Sequence, residues 1–307
     1  MATSAGLVST KIPLRADARL DASMHWKHFD EPAAVFALAP QPGGGCLAAT
    51  ERGLWQFDPR AGHWRPIAPQ FDQVPLTAVA ACGPTWLIGS NGDIAFSHDG
   101  GQNWQLANLP VKARVLGLAI SPAFERDGIA LAATAEDGVL RSADRGVTWH
   151  AWNYGLLDLG VNAIAVSPDF GEDTTCFAAS DHAVFMSVNG GRAWQELSAP
   201  MQAGPFTSLA IAKTARGATL YAGTEGNGLW ASVAPYETWQ QIKAVRAGEI
   251  NFVLPGWAAT TSGVYAAEGG RWHKASDQPD VVCMALLDDG TLVAGTAGSG
   301  MWHAAAG

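Results

Sequence analysis

Short apolar segments recur along the chain in a fixed order of four. The first segment of each unit is apolar and rich in small residues, as in 115–120. The second ends in Thr or Ser, as in 131–134, and the third begins with Gly or Ala, as in 138–140. The fourth begins with Trp, as at Trp149. Short apolar runs separated by turn residues predict four antiparallel β-strands, A to D, in each unit.

Two sets of residues mark the period of this repeat. The closing tryptophans are separated by 40, 45, 45, 45 and 33 residues, and they are Trp64, Trp104, Trp149, Trp194, Trp239 and Trp272. The start of strand C is marked seven times, at Gly53, Gly92, Gly138, Ala183, Gly228, Gly263 and Gly300. Four strands in about 40 residues are typical of one blade of a β-propeller, whereas a two-layer sandwich does not require this order.

The two ends of the chain complete the pattern. The seventh unit, which starts at Val281, has no strand D, while an unmatched strand around Trp26 precedes the first unit. If this strand completes the last unit, the ring has no long exposed edge. We therefore predict an all-β fold with residues 24–307 as a single seven-bladed β-propeller of four-stranded blades, its last blade closed by the N-terminal strand. Residues 1–23 are predicted to form a flexible N-terminal tail.

A polar turn recurs between strands C and D. Residues 142–149 read Ser-x-Asp-x-Gly-x-Thr-Trp, and 97–104 and 187–194 keep this frame. The glycine suits a tight turn, the acid can accept hydrogen bonds from turn amides, and the tryptophan can anchor the returning strand. We predict structural roles for Ser97, Asp99, Gly101, Trp104, Ser142, Asp144, Gly146, Trp149, Ser187, Asn189, Gly191 and Trp194.

This turn resembles the Asp-box, or BNR repeat, found in sialidases, the sortilin group, tandem-propeller xyloglucanases and photosystem II assembly factors. The resemblance implies a propeller, within the broader WD40/YVTN-like repeat architectures, whose boxes lie on the face opposite the active site. The sialidase catalytic set is not matched, because the nearest segment to its Arg-Ile-Pro is Lys11-Ile12-Pro13. Xyloglucanases work in a cleft between two propellers, which a single propeller does not offer. We therefore expect neither of these activities.

Composition and net charge restrict the classes of partner that the protein is expected to bind. Hydrophobic residues make up 48% of the chain and charged residues 15%, which is typical of a well-packed domain. The net charge of −9 disfavours a nucleic-acid backbone or an anionic membrane as the main partner. No segment has the length of about 20 apolar residues that a membrane span needs. Because they are widely spaced, we interpret Cys46, Cys82, Cys176 and Cys283 as reduced core residues of a cytoplasmic protein, with two disulfides as the alternative.

Motifs for catalysis or for a resident metal or cofactor do not occur. The chain has no Gly-x-Ser-x-Gly, no His-Glu-x-x-His, no Walker loop and no EF-hand loop. The acids of the long A–B loops, 121–128 and 167–173, could bind a cation, but solvated turns are the preferred interpretation. The tryptophans are predicted to be core residues, with Trp86 and Trp152 as the two outside the repeat register. Function is therefore expected to come from the loops.

The B–C loops carry an excess of acidic residues. We predict a binding rim at the mouth of the central channel formed by Glu51, Arg52, Asp93, Glu136, Asp137, Asp181, His182 and Glu225. The D–A loops add Asp72, Lys112, Arg114, Asp158, Arg246, Glu249 and Asp280. Acidic residues around one opening attract cations or basic groups, and the alternative is a solvated edge without a ligand.

The leading hypothesis is a non-catalytic protein-interaction or scaffold propeller that presents its B–C and D–A loops to another protein. The alternative is a propeller that binds a small polar ligand, a glycan or a divalent cation, or an enzyme (a hydrolase or lyase), at the channel mouth. A third hypothesis, an assembly factor similar to the photosystem II propellers, is consistent with the size and the boxes.

Overall fold

The structure is a computed structural model that describes residues 25–198, 204–245 and 248–305. Its first strand is β1 (His25–Phe29). The predicted tail, residues 1–23, lies outside the described residues, and so does Arg246 of the predicted rim.

The next strands form blades 1 to 6, numbered along the chain. Blade 1 contains β2–β5, at Val35–Gln41, Gly45–Thr50, Gly53–Asp58 and His63–Ile67. Blade 2 contains β6–β9, at Leu76–Cys82, Thr85–Gly92, Ile94–Ser97 and Gln105–Leu106. Blade 3 contains β10–β13, at Ala113–Ile120, Ala130–Thr134, Val139–Ser142 and His150–Ala151.

The second half of the chain repeats this order. Blade 4 contains β14–β17, at Ala163–Val166, Cys176–Ala179, Val184–Ser187 and Gln195–Leu197. Blade 5 contains β18–β21, at Phe206–Thr214, Gly217–Thr224, Leu229–Val233 and Trp239–Gln241. Blade 6 contains β22–β25, at Ile250–Leu254, Trp257–Thr260, Gly263–Glu268 and Arg271–Ser276. Blade 7 contains β26–β28, at Val281–Leu286, Leu292–Thr296 and Met301–Ala305, together with β1.

Each blade is a four-stranded antiparallel sheet whose strands A to D lie side by side in chain order. In blade 7 the outermost strand is β1, which pairs with β28 so that His28 lies opposite Trp302 and Trp26 opposite Ala304. The predicted closure by the N-terminal strand is therefore confirmed. Two further pairs between β7 and β10 join blades 2 and 3 into one larger sheet.

The innermost strands form the ring. Each strand A contacts strand A of the next blade, from β2 through β6, β10, β14, β18 and β22 to β26, and β26 contacts β2. The described residues thus form seven four-stranded blades around one axis, which is the predicted all-β propeller.

Small residues in strand B let neighbouring blades approach each other closely. A Cβ added to Gly89 would lie 2.6 Å from Val115 Cγ1 of the next blade, and one added to Gly223 would lie 2.6 Å from Ile250 Cγ2. One added to Gly295 would lie 2.8 Å from Val35 Cβ, across the junction of blades 7 and 1. The repeated Ala-Ala and Ala-Gly pairs before each strand-B Thr are therefore a packing requirement of the ring.

The long A–B loops of blades 3 and 4 are compact. Each contains a one-turn helix, α1 (Phe124–Asp127) or α2 (Phe170–Asp173), whose phenylalanine is buried in the core. Asp127 accepts hydrogen bonds from Ser121 Oγ (2.6 Å) and the Ile129 amide (2.9 Å), so this carboxylate holds its own loop closed. Asp173 makes the equivalent bonds in blade 4.

The four cysteines of the described chain are free thiols, and Cys46, Cys176 and Cys283 are buried. Burial raises the pKa of Cys176 to about 12, so this thiol stays protonated and behaves as a small apolar side chain.

The junction of blades 7 and 1 encloses a histidine. His303, on β28, is 7% exposed, and its ring lies 4.7 Å from that of Phe29 and 4.3 Å from that of Phe57. Its Nε2 accepts a hydrogen bond from Trp64 Nε1 (3.1 Å), which requires the neutral imidazole. Burial, and then the charge of Lys27, lower the pKa of His303 to about 4.

We predict that the closed ring loses stability as the pH falls. Since the pKa of His303 is lower in the folded state than the ordinary value of about 6.5, the unfolded chain takes up the proton first. The stabilisation is therefore complete above about pH 6.5 and is lost towards pH 4, by on the order of 3 kcal/mol. Thermal melts between pH 7 and pH 4 measure this loss.

The variant His303→Phe should melt at a lower temperature at pH 7, because Trp64 loses its acceptor, and should show less of this acid sensitivity. His150→Phe, at an exposed histidine, is the matched control and should keep the wild-type pH profile. An unchanged acid sensitivity in His303→Phe would show that other groups cause it.

Candidate functional site

The loops divide between the two ends of the blades. The B–C and D–A loops contact each other and form what we name the loop face. There the Gly138 amide donates to Leu159 O (2.9 Å), and Lys112 forms an ion pair with Asp93. The A–B and C–D loops form the opposite turn face, where the Gly190 amide donates to Thr174 O (2.9 Å).

The residues of the predicted rim are spread along the loop face. Six of them are exposed, namely Glu51, Arg52, Glu136, Asp181, His182 and Glu225, and Asp93 and Asp137 are half-buried. Within the described part of the chain, no group of three or more His, Cys, Asp or Glu side chains is placed to hold a metal ion. The ring closure therefore does not gather the acids at one point.

Several rim acids have partners within the protein. Asp93 forms an ion pair with Lys112 from the neighbouring D–A loop. Asp181 Oδ1 accepts a hydrogen bond from Asn162 Nδ2 (2.7 Å), and Glu51 lies 3.9 Å from Arg52. The rim thus contains part of its own counter-charge.

His182 is the titratable group of the loop face that has the clearest partner. Its Nδ1 lies 3.0 Å from Asp158 Oδ2, and this hydrogen bond, followed by the Asp158 charge, raises the pKa of His182. Partial burial acts to raise the pKa of Asp158, but the hydrogen bonds from His182 and from the Gly160 amide outweigh it and lower that pKa overall. The pair couples a D–A loop of blade 3 to a B–C loop of blade 4.

A hydroxyl brace closes every B–C loop. A Thr or Ser within two residues of the end of strand B donates its hydroxyl to the carbonyl at or just before the start of strand C, as Thr134 Oγ1 does to Gly138 O (2.8 Å). The same hydroxyl accepts from a loop amide, here that of Asp137 (3.0 Å). Seven residues make this pair of bonds: Thr50, Ser90, Thr134, Ser180, Thr224, Thr260 and Thr296. In the sequence, this brace is indicated by the Thr or Ser that follows the small residues of strand B.

A second set of polar residues ties the inner strands together near the loop face. Asn162 Nδ2 donates to Phe206 O of blade 5 (3.0 Å), and Asn251 Nδ2 donates to Val281 O of blade 7 (2.9 Å). Thr77 and Thr207 make equivalent bonds to the next blade. These residues were not predicted from the sequence, where their only signal is an Asn or Thr at or next to the start of strand A.

Exposed apolar side chains are concentrated in the D–A loops. Between blades 3 and 4, Leu157 is 80% exposed and Leu159 is 43% exposed. Asp158, between them, bonds His182, and the backbone of Leu159 bonds Gly138. We name this surface the blade 3–4 patch, and it comprises Leu157, Leu159, Glu136, Asp137, Asp158, Asp181 and His182. Its leucines could not be recognised from the sequence, because their exposure depends on the path of the loop.

The two tryptophans outside the repeat register differ from each other. Trp86 is buried in the core, whereas Trp152 is 38% exposed at the start of the loop that leads to Leu157. The carbonyl of Trp152 accepts a hydrogen bond from Trp194 Nε1 (2.8 Å), so the loop is held against blade 4.

The three polar turns lie on the turn face and share one geometry. In blade 3, Ser142 Oγ donates to Asp144 Oδ1 (2.8 Å) and accepts from the Gly146 amide (2.9 Å). Asp144 also accepts from the Thr148 amide (2.9 Å) and hydroxyl (2.6 Å). The same positions are bonded in blade 2, through Ser97, Asp99 and Gly101, and in blade 4, through Ser187, Asn189 and Gly191.

The sequence predicts that strand D begins with Trp, but the tryptophans of these three turns precede strand D. Strands β9, β13 and β17 begin one residue later, after Trp104, Trp149 and Trp194. In blades 2 and 3 the indole belongs to the turn, because Trp149 Nε1 donates back to Gly146 O (3.0 Å) and Trp104 Nε1 donates to Gly101 O (3.1 Å). In blade 4, Trp194 Nε1 donates instead to Trp152 O.

Comparison with known proteins supports the architecture. No protein-family model matches the sequence, and no curated protein matches it. Among solved structures, YCF48 bound to a D1 peptide superposes with a TM-score of 0.68 at 16% identity, covering 91% of this chain and 96% of that chain. The WD40 β-propeller domain of Doa1 superposes with a TM-score of 0.66 at 12% identity, and the match covers 92% of this chain and 95% of that chain.

A third similar structure is the GH74 xyloglucanase of Xanthomonas campestris, with a TM-score of 0.71 at 16% identity. That match covers 91% of this chain but 53% of the other, so the chain spans about half the length of the enzyme. At these identities the likeness concerns the fold, and the chain is a β-propeller. In the described residues, no helix is long and apolar enough to cross a membrane.

We predict that Asp144→Ala destabilises the protein by about 1–3 kcal/mol, because Thr148 and Ser142 lose their acceptor. Asp144→Asn is the matched control, since Asn189 keeps the equivalent bonds in blade 4, and it should cost less. Urea unfolding of both variants measures the difference. Equal losses in the two variants would show that the carboxylate charge, rather than the hydrogen bonds, stabilises the turn.

We further predict that Thr134→Val costs about 1–3 kcal/mol, because the Asp137 amide loses its acceptor and the Gly138 carbonyl loses one of its two donors, keeping only the Thr134 amide. Thr134→Ser keeps the hydroxyl and should retain most of the stability. Hydrogen exchange at the Asp137 amide gives a local readout and should quicken in Thr134→Val alone. Unchanged exchange there would contradict the brace.

Proposed function

We propose that this chain is a non-catalytic protein-interaction propeller of the Asp-box type that binds a partner protein through its loop face. The hydrogen-bonded turns of blades 2, 3 and 4 support the Asp-box assignment, because Ser, Asp or Asn, and Gly act in them as the motif requires. The proposal takes residues 24–307 as one propeller domain in a cytoplasmic protein, with residues 1–23 as a tail. These last points stay predictions.

The observation that carries the proposal is the blade 3–4 patch. Leu157 and Leu159 expose apolar area on a loop whose backbone is held by hydrogen bonds to both neighbouring blades. Burying one such leucine under a partner contributes about 1.5–3 kcal/mol. Since the loop is already positioned, little ordering entropy opposes that gain.

Charge indicates the chemistry of the partner. Glu136, Asp137 and Asp181 belong to the B–C loops on either side of the leucines, and none of the three is in a salt bridge among the described residues. Carboxylates beside an apolar surface favour a partner segment in which an apolar residue is flanked by Lys or Arg. The bound peptide in the YCF48 structure, a neighbour in fold only, shows that a propeller of this size can take a peptide as its partner.

A selection of peptides tests the proposal directly. A library of random peptides is displayed and selected on the full chain, and the dissociation constants of the selected peptides are measured by calorimetry. We expect sequences with an apolar residue next to Lys or Arg, and at least tenfold weaker binding to Leu157→Ser/Leu159→Ser, which corresponds to about 1.4 kcal/mol.

Two further variants complete the test. The triple variant Glu136→Gln/Asp137→Asn/Asp181→Asn should bind more weakly and lose most of the salt dependence, while its melting temperature stays the same or rises slightly. Val188→Ser, at an exposed apolar residue on the turn face, is the matched control and should bind like the wild type.

Peptides that bind all variants equally would overturn the proposal. Stabilisation by Ca²⁺ or Mg²⁺ that the triple variant abolishes would favour the alternative, a cation-binding channel mouth.

A further inference from the structure

An arginine without a carboxylate partner lies on the turn face, where strand C of blade 3 meets the polar turn of blade 4. Arg141, on β12, is 5% exposed. Its Nε donates to Gly190 O (2.7 Å) in the polar turn of blade 4. No other hydrogen bond of its guanidinium and no ion pair occurs within the described residues, and its Nη atoms, which have no protein acceptor there, remain accessible to solvent.

A second guanidinium faces the same space. Arg192 is exposed, and its Nη1 donates to Asn189 O (3.0 Å) in the same turn. A Cβ built on Gly190 would lie 3.8 Å from Arg192 Nη1 and 4.0 Å from Arg141 Nη2. The ring of Phe170, whose Cζ is 3.8 Å from that point, closes one side. Because residue 190 is glycine with a φ of +73°, the volume between the two arginines stays open.

Two like charges at this place destabilise each other. Burial lowers the pKa of Arg141, and the positive charge of Arg192 lowers it further, while Cys176 and Asp127 act in the opposite direction with smaller effect. A buried charge is stable in a protein when it is paired, and here the carboxylate of Asp127 is engaged with Ser121 and the Ile129 amide instead. Within the described residues, no carboxylate therefore forms an ion pair with either guanidinium.

We propose that this site binds a small oxyanion between Arg141 and Arg192. Planar guanidinium groups bind the paired oxygens of phosphate, sulfate or carboxylate, and two of them facing one volume can share such a group. The oxyanion is either a free ion or a group carried by a protein, such as a phosphorylated side chain. The site lies on the face opposite the blade 3–4 patch, so it is independent of the proposed partner surface.

Phosphate binding to the full chain tests this inference. Inorganic phosphate, acetate and a phosphoserine peptide are titrated separately at constant ionic strength, with calorimetry and the melting temperature as readouts. We expect inorganic phosphate to bind, and Arg192→Gln, at an exposed position, to weaken its binding at least tenfold while leaving the unliganded melting temperature near that of wild type. Arg65→Gln, at an exposed arginine of blade 1, is the matched control and should bind like the wild type.

Arg141→Lys provides a second variant, because it keeps the charge but loses the planar fork, and it should also weaken phosphate binding. Tighter binding of the phosphopeptide than of phosphate would identify a protein-borne group as the ligand, and equal binding would identify the free ion. The inference is overturned if none of the three ligands binds to the wild-type chain, or if phosphate stabilises Arg192→Gln and Arg65→Gln as much as it stabilises the wild type. Arg141 would then serve only to hold the turn of blade 4.

Discussion

The pairing of β1 with β28 is the interaction on which the ring depends. Without β1, the backbone N–H and C=O groups of β28 would form an open sheet edge, and blade 7 would lack a quarter of its sheet. The pairing also brings Phe29 beside His303 and thereby completes the aromatic cluster against Trp64 of blade 1. Ring closure thus combines a strand register with a packed junction, and both involve residues far apart in the chain.

Once the ring is closed, the two faces use their polar residues differently. On the turn face, Ser142 and Asp144 are occupied by amides and hydroxyls of their own turn. On the loop face, the hydroxyl at the end of strand B holds the loop backbone, and the side chains at the loop tips remain exposed. A rigid backbone with exposed side chains is the arrangement that lets a binding surface form without a large ordering cost.

Much of the fold could be predicted from the sequence because blade structure is local and periodic. Trp149, Gly138 and Thr134 occupy fixed positions in a unit of four strands, and their roles in turn, close approach and brace follow from their chemistry. The exposure of Leu157 and the position of Arg141 could not be predicted in this way. Both depend on contacts with blade 4, which no spacing within blade 3 specifies.

The predicted rim could likewise be only partly derived from the sequence. Its acids could be assigned to the B–C loops from the repeat, but their pairing could not. Lys112 and Asp158 belong to D–A loops, so the ion pairs with Asp93 and His182 depend on how a variable loop crosses between two blades. The same crossing decides which acids remain available to a partner.

The register of blade 7 has a topological consequence. His25 lies directly opposite Ala305, so the two ends of the described chain are adjacent strands of one sheet. A short loop between them would turn the fold into a continuous circle of blades, in which strand D of every blade follows its own strand C. In such a circle the position of the chain break is arbitrary, and the hairpin turn of any blade could serve as the new terminus of a circularly permuted propeller.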